Sequence, residues 1–411
     1  MSVKTSAPWQ RLSSEELEER VRAALAENAS YRDRDEPVLG VPGTVLDRRV
    51  FYDAPFLEHA PFLSCMLENP NHIGCHTLGL SEPIFPGTQA LEVEVVRVCA
   101  EELLGADPGT VDGYVATGGT EANIQALWVF RNRFRERYGV TSEQVVVLHS
   151  EDTHYSIHKA CDLLGLTPAT LPVDPATRAL QLGPLREAVA AAQRRGPVCF
   201  AVVLNLGTTM FGSVDRLDPV LEVLEAAQAR YEVHVDAAFG GFIYPLTHPA
   251  NPLSLRRPEV SSFTLDAHKM LQAPYGTGVY LVRKGYLASV CTQEASYVRG
   301  HDYTLCGSRS GANAVAVWLI LHAYGPEGGR EFLAQLLART ERLCAGLDAR
   351  RVAYFREPHM NVVALRAEDV PPAAARRFHL VPDDHHAPRW WKVVVMDHVD
   401  DELIERFLAA W

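Results

Sequence analysis

The stretch CFAVVLNLG (199–207), LDPVLEVLEAAQARY (217–231) and EVHVDAA (232–238) reads as strand, helix, strand. Its two outer runs are short, continuous and apolar, the pattern of strands covered on both faces. Working outward, the alternation repeats. GYVATGG (113–119) gives way to the helix TEANIQALWVFRNRF (120–134), VVVLHS (145–150) precedes a helix around SIHKACDLLG (156–165), and SFTLDAHK (262–269) is a further strand end. YGTGVYLVR (275–283) reads as one more strand, antiparallel to the rest. Strands alternating with helices predict an α/β domain whose mostly parallel, seven-stranded-type sheet is sandwiched by helices.

Outside this region the spacing predicts a helix from Thr88 to Leu104 that stops at Gly105. Nearer the start, Ser13 and Glu16 form a capping box ahead of Leu17, Val21 and Leu25 at helical spacing. After residue 310, AVAVWLILHAYG (314–325) and REFLAQLLARTERLCAGLDAR (330–350) read as helices. NVVALRA (361–367) and WKVVVMD (391–397) read as strands before a last helix. The expected organisation is an N-terminal helical and extended segment over 1–70, a large domain over 71–310 and a small α+β domain over 311–411.

Composition narrows the function class. With 411 residues, 47% hydrophobic and 22% charged, the chain has the make-up of a globular protein with a substantial core. No apolar run approaches the roughly 18 residues of a membrane span, and the start lacks an apolar core with a small-residue cleavage site. The net charge of -12 opposes general binding to nucleic acid or anionic membrane, which needs clustered Lys and Arg. Eight cysteines without framework spacing read as reduced thiols in a cytoplasmic protein.

In a doubly wound sheet, ligands sit at the carboxyl ends of the strands, and four polar signals fall at such ends. Gly118-Gly119-Thr120-Glu121 joins a strand to a helix start, where small residues and free N–H groups suit a phosphate, though the same residues also make a good turn and cap. His154, just past a strand, suits stacking on a flat cofactor or, equally, a capping role. Asp236 ends a buried strand, a costly place for a carboxylate unless it meets a cation such as a protonated pyridine. Ala238 beside it is small enough for a ring to pack on. Lys269, flanked by Leu265, Met270 and Leu271, would be partly desolvated, which makes an amine nucleophilic toward an aldehyde. Together these are the pieces that pyridoxal phosphate (PLP) requires.

On these motifs, above all HVDAAFGG (234–241) and DAHK (266–269), the chain resembles the group II PLP-dependent amino-acid decarboxylases of the aspartate-aminotransferase fold type, PLP fold type I, from about Asn69 to the C-terminus. The resemblance implies that Lys269 holds PLP as a Schiff base and that Gly119 and Thr120 bind its phosphate. It places His154 on the ring, Thr208 near the ring hydroxyl, Asp236 at the ring nitrogen, Ala238 on the ring face and His268 beside Lys269. It also implies a homodimer in which Gly307 and Ser308 of TLCGSRSG (304–311) reach the neighbouring subunit's phosphate. The proton that replaces carbon dioxide would come from a loop tyrosine, Tyr297 or alternatively Tyr303.

One departure concerns the substrate carboxylate. Many relatives carry an Arg on the last strand where this chain has Lys392, which supplies charge without the bidentate fork. Lys392 does this work, or Arg389 or Arg309 has taken it over. The stretch NHIGCHTLG (71–79) falls in an active-site entrance loop by the same resemblance, making His76 a candidate substrate contact. The spacing of His72, Cys75 and His76 would suit a metal, but without a second ligand cluster no metal is expected. The expected activity is therefore decarboxylation of an L-amino acid to its amine. Another PLP reaction on the same fold (carbon–carbon lyase, aminotransferase or oxidative decarboxylase) and a catalytically silent PLP-binding protein remain the rivals.

Overall fold

The computed structural model describes residues 33–37, 39–40, 70–80, 85–292 and 301–411. The expected helix near Ser13–Leu25, Cys65, Tyr297 and Arg299 lie outside the described residues.

The large sheet is built from β2 (Val111–Ala116), β3 (Val145–Ser150), β4 (Thr167–Leu171), β5 (Cys199–Asn205), β6 (Tyr231–Ala237), β7 (Val260–Asp266) and β8 (Gly278–Arg283). Their spatial order is β2-β8-β7-β6-β5-β3-β4. All pairings are parallel except those of β8, which runs antiparallel between β2 and β7. The carboxyl ends of β2, β3, β5, β6 and β7 therefore share one edge. The helices between them include α2 (Gly119–Tyr138), α3 (Ser156–Leu164), α4 (Leu182–Arg194) and α5 (Leu217–Ala226), after α1 (Pro86–Arg97). Strands β3, β5 and β7 are buried at every position, which is why they read as unbroken apolar runs.

The predicted helix 88–104 divides. Its regular part is α1, and Val98–Leu103 widens into a π-helix before Gly105 turns the chain at φ +71. A short ribbon pairs β1 (Asn71–Ile73) with β9 (Ser308–Ser310). Helix α6 (Gly311–Ala349) starts on a Ser310 cap and breaks at Gly325-Pro326. Its first half buries Val317 and Ile320 in the core under the large sheet. Its far end buries Leu343 and Leu347 against a smaller core. That core lies on a four-stranded antiparallel sheet of β10 (Tyr354–Phe355), β11 (Val362–Arg366), β12 (Val381–Pro382) and β13 (Trp390–Val394). Among the described residues no helix is long and apolar enough to cross a membrane.

The β1–β9 ribbon changes the reading of two residues. It carries Arg309 inward, where the guanidinium pairs with Glu92 of α1 and donates to the carbonyls of Val115 at 3.0 Å and Gly74 at 2.5 Å. Glu92 also meets His72 Nδ1 at 2.8 Å and His76 Nε2 at 3.1 Å. Arg309 and His76, expected to touch substrate, are instead buried in this cluster, and neither lines the cavity described below. Glu92, Arg309 and the two histidines form a structural clamp. The three groups His72, His76 and Glu92 come close enough to hold a metal; Glu92 Oε2 faces both histidines, while Arg309 takes Oε1. The proximity of Arg309 and the histidine hydrogen bonds hold Glu92 well below the usual carboxylate range despite full burial. Removing Glu92 would strand a buried guanidinium. Glu92→Ala is expected to cost about 3–5 kcal/mol in urea denaturation, and a loss under about 1 kcal/mol would contradict the clamp.

Candidate active site

Five strand ends converge on a cavity of about 330 Å³. Its lining includes Gly118, Gly119, Thr120, Asn123, His154, Asn205, Thr208, Asp236, Ala238, Asp266, His268 and Lys269. Of the candidates read from the sequence, Gly119, Thr120, His154, Thr208, Asp236, Ala238, His268 and Lys269 are thus brought together.

The local reasons are plain along the chain. Two residues past β2 stands Gly118, whose φ of +146 only glycine adopts readily, and α2 begins with no side-chain cap. Its first N–H groups therefore point out of the helix unsatisfied, with the positive end of its dipole. Gly119 has no room for a side chain: a Cβ there would come within 2.8 Å of Asp266 Oδ2 and 3.2 Å of Ala238.

Asp236 ends β6 with its carboxylate held on both oxygens. Oδ2 accepts from Asn123 Nδ2 at 2.8 Å and Oδ1 from the Ala238 N–H at 3.1 Å. β7 delivers Asp266, buried, and the turn after it returns Lys269 so that Nζ lies 3.0 Å from Asp266 Oδ2. His268 approaches the same oxygen at 3.6 Å, and burial lowers its pKa. His154 follows β3, its Nδ1 2.9 Å from Ser156 Oγ, and burial lowers its pKa as well. After β5, Thr208 Oγ1 accepts from the Ser213 N–H at 3.1 Å and lies 2.7 Å from Ser213 Oγ.

Lys392, on β13, lines an adjoining cavity of about 500 Å³ that shares His154 and Thr209 with the first. Its amine donates to the Thr209 carbonyl at 3.1 Å. Burial, together with the positive charge of Lys269, lowers its pKa to about 8. Arg389, the other alternative, pairs with Asp383 at 3.2 Å and is largely exposed. Ser308 is exposed on β9, its Oγ accepting from Asn71 Nδ2 at 3.2 Å, and does not line this chain's cavity. Tyr303, the alternate proton donor, is also absent from the lining.

The residues fit pyridoxal phosphate. An uncapped helix start bordered by glycines suits a phosphate, and an acceptor-only carboxylate suits a protonated ring nitrogen. A lysine stands within the same cavity. Two buried atoms around it, Asp266 Oδ1 and His268 Nδ1, have no hydrogen-bond partner among the described residues, as expected of a site built to face a polar ligand.

Sequence reading passed over Asn123, Ser156, Asn205 and Asp266 as functional groups. The available signal was polarity at positions where the neighbouring pattern demands burial. Asn123 sits one turn into α2 between Ala122 and Ile124, all buried.

Comparison with known proteins identifies the family. The family model described as pyridoxal-dependent decarboxylase conserved domain matches residues 59–368. A tryptophan decarboxylase of Clostridium sporogenes is 42% identical over 398 residues, covering 96% of this chain and 95% of that protein. A probable L-tyrosine/L-aspartate decarboxylase of Methanothrix thermoacetophila is 34% identical, covering 80% of this chain and 82% of its own. Among solved structures, L-methionine decarboxylase from Streptomyces sp. 590 superposes with a TM-score of 0.78 at 21% identity, covering 97% of this chain and 94% of that one. A sphingosine-1-phosphate lyase of Burkholderia pseudomallei gives 0.79 at 19%, covering 99% and 92%. At such identities the two structures speak for the fold, PLP fold type I, alone. The family model and the sequence relatives carry more: the chain belongs to the pyridoxal-dependent decarboxylases, enzymes that use pyridoxal phosphate to remove carbon dioxide from an amino acid.

Proposed function

We propose that the substrate is an aromatic L-amino acid, tryptophan first among them, and that the eight cavity residues named above divide the work as follows. Lys269 holds the cofactor covalently through Nζ, with Asp266 beside it to keep the displaced amine charged and in place. The N–H groups at Gly119 and Thr120 take the phosphate, with His268 close by. Asp236 faces the ring nitrogen and keeps it protonated, Ala238 and His154 bound the two ring faces, and Thr208 lies at the hydroxyl side. When bound, pyridoxal phosphate supplies the sink for the electron pair left at Cα as the carboxylate departs. Asp236 matters most at that moment, because its charge stabilises the departing state more than the bound substrate. Lys392 receives the substrate carboxylate, and Tyr297 delivers the proton to Cα. Ser308 completes the partner subunit's phosphate site, so the working unit is a homodimer. Its place is the cytoplasm, consistent with the seven described cysteines all being unpaired.

The observation that carries the substrate class is the aromatic wall beside the smaller cavity. Among the described residues Lys269 is the one Lys or Arg lining the smaller cavity, and Arg309 is locked to Glu92. A second carboxylate, as on aspartate or glutamate, would therefore lack a partner there. The adjoining cavity carries Lys392, Arg178, Arg366 and Arg389, of which Arg178 pairs with Asp152 and Arg389 with Asp383. Its wall of Met210, Phe211 and Trp390, the last two rings edge to face at 5.4 Å, suits an aromatic side chain. The similarity to a tryptophan decarboxylase points the same way. Carbon dioxide release from tryptophan, tyrosine, phenylalanine, histidine, aspartate and glutamate tests this. Aromatic substrates should lead, and preference for aspartate or glutamate would overturn the assignment.

The Lys392 role carries a pH signature. Its amine is charged below a pKa of about 8 and neutral above it, so the grip on a carboxylate weakens as pH rises through that value. KM for the amino acid should climb above pH 8, approaching roughly tenfold per pH unit. Lys392→Arg, charged throughout, should flatten that limb relative to the parent enzyme. Parallel KM profiles for the two would remove Lys392 from carboxylate binding.

A further inference from the structure

Behind Asp236 and His154 lies a buried chain of hydrogen bonds that fixes where the protons are. Asn123 Nδ2 is 2.8 Å from Asp236 Oδ2 and 2.9 Å from Ser156 Oγ. Its Oδ1 is 2.9 Å from His234 Nε2. His234 Nδ1 is 2.8 Å from Ser262 Oγ, and Ser156 Oγ is 2.9 Å from His154 Nδ1.

Donor and acceptor counting leaves one arrangement. An ionised carboxylate only accepts, so the amide of Asn123 must turn its NH2 toward Asp236. Both amide hydrogens are then used, on Asp236 and on Ser156. Asn123 Oδ1 can only accept, so His234 must carry its proton on Nε2. Thr264 Oγ1 stands near the same nitrogen at 3.3 Å. His234 is fully buried, and that burial lowers its pKa to about 4, which keeps it neutral with a single N–H. Its Nδ1 therefore accepts from the Ser262 hydroxyl. The Ser156 backbone N–H donates to His154 Nδ1 at 3.3 Å, which makes that nitrogen an acceptor. The Ser156 hydroxyl, accepting from Asn123, therefore donates its own proton to the same Nδ1. His154 Nδ1 is thus an acceptor twice over, and its remaining proton sits on Nε2, for which no protein partner occurs among the described residues.

We propose that Asn123 is the positioning residue of this active site: one amide orients the Asp236 carboxylate and, through Ser156, holds His154 as a neutral Nε2–H donor. The relay runs in one direction, Ser262 to His234 to Asn123, and there it forks to Asp236 and to Ser156 and His154. Two walls of the cavity that come from different strands are set by a single side chain of α2. His154 then offers a hydrogen bond rather than a positive charge, which leaves Lys392 as the cation for the substrate carboxylate. This rests on the cofactor placement proposed above.

Asn123→Asp keeps the shape and the acceptor toward His234 but turns the forked donor into an acceptor facing Asp236 and Ser156. In the holoenzyme, kcat should fall and the cofactor Kd should rise, each by roughly tenfold or more, with KM for tryptophan changing less than about threefold. Ser156→Ala cuts only the His154 branch, so kcat should fall by roughly tenfold while cofactor Kd stays within about twofold. An independent reading needs no variant: the ring 15N spectrum of histidine-labelled apoenzyme should show His154 protonated at Nε2 and bare at Nδ1. A proton on Nδ1 of His154, or an Asn123→Asp enzyme with wild-type kcat and cofactor affinity, would overturn the proposal. So would a lowered thermal midpoint with both quantities unchanged. Failure of the wild-type protein to bind pyridoxal phosphate would instead defeat the cofactor placement itself.

Discussion

Lys269→Ala is expected to abolish turnover, by at least about four orders of magnitude, the scale seen when a covalent catalytic group is deleted. The visible absorbance of the bound cofactor should vanish with it. The fold should survive, because the side chain is 23% exposed and its ion-pair partner among the described residues is Asp266 at 3.0 Å. That neighbour does pay a penalty. Asp266 is 3% exposed, and losing the ammonium leaves its carboxylate with no cation but a lightly protonated His268, at a cost of about 1–3 kcal/mol. Lys269→Arg separates the two effects. It preserves the charge facing Asp266 and the stability but cannot form the carbon–nitrogen link, so it should be stable and equally inactive. Turnover or visible absorbance in either variant would show that another amine carries the cofactor.

Asp236→Asn is the second large effect, a loss of at least about 100-fold in kcat, comparable with removing one preorganised charge or dipole from a site. The substitution nearly preserves shape, so the loss is electrostatic. Both carboxylate oxygens accept, from Asn123 at 2.8 Å and from the Ala238 N–H at 3.1 Å. An amide offers one acceptor, so its NH2 must oppose one of those donors, and it carries no charge to hold the ring nitrogen protonated. Cofactor affinity should fall alongside kcat. Near-normal turnover in this variant would mean that the ring nitrogen does not depend on Asp236.

The framework was legible because its strands are buried on both faces and read as unbroken apolar runs from Val145, Cys199 and Val260 onward. The antiparallel setting of 275–283 was also legible, and β8 occupies it over Gly278–Arg283. The strand-end candidate Asp236 could be picked out for a related reason: a polar residue closing an apolar run has few structural explanations, although the same signal at Asp266 was passed over. What stayed hidden depends on contacts distant in sequence. Arg309 was expected at substrate, yet it is drawn to Glu92, 217 residues away, by the ribbon that pairs β1 with β9. No local periodicity announces that pairing. Asn123 was hidden differently, inside a well-formed helix, where its partners Asp236 and His234 come from a strand more than 100 residues on. A helical pattern shows which face is buried and says nothing of what a buried amide will meet. Helix 88–104 begins two residues early, at Pro86, and differs most at its C-terminal end, where a π-helix replaces the last α turns before Gly105.

The attachment point can be read chemically. Holoenzyme reduced with borohydride, digested and mapped by mass spectrometry should carry the pyridoxyl phosphate mass on the peptide containing Lys269 and on no other. A label on Lys392, the buried amine of the adjoining cavity, or no label on any lysine, would contradict the assignment on which the site is built.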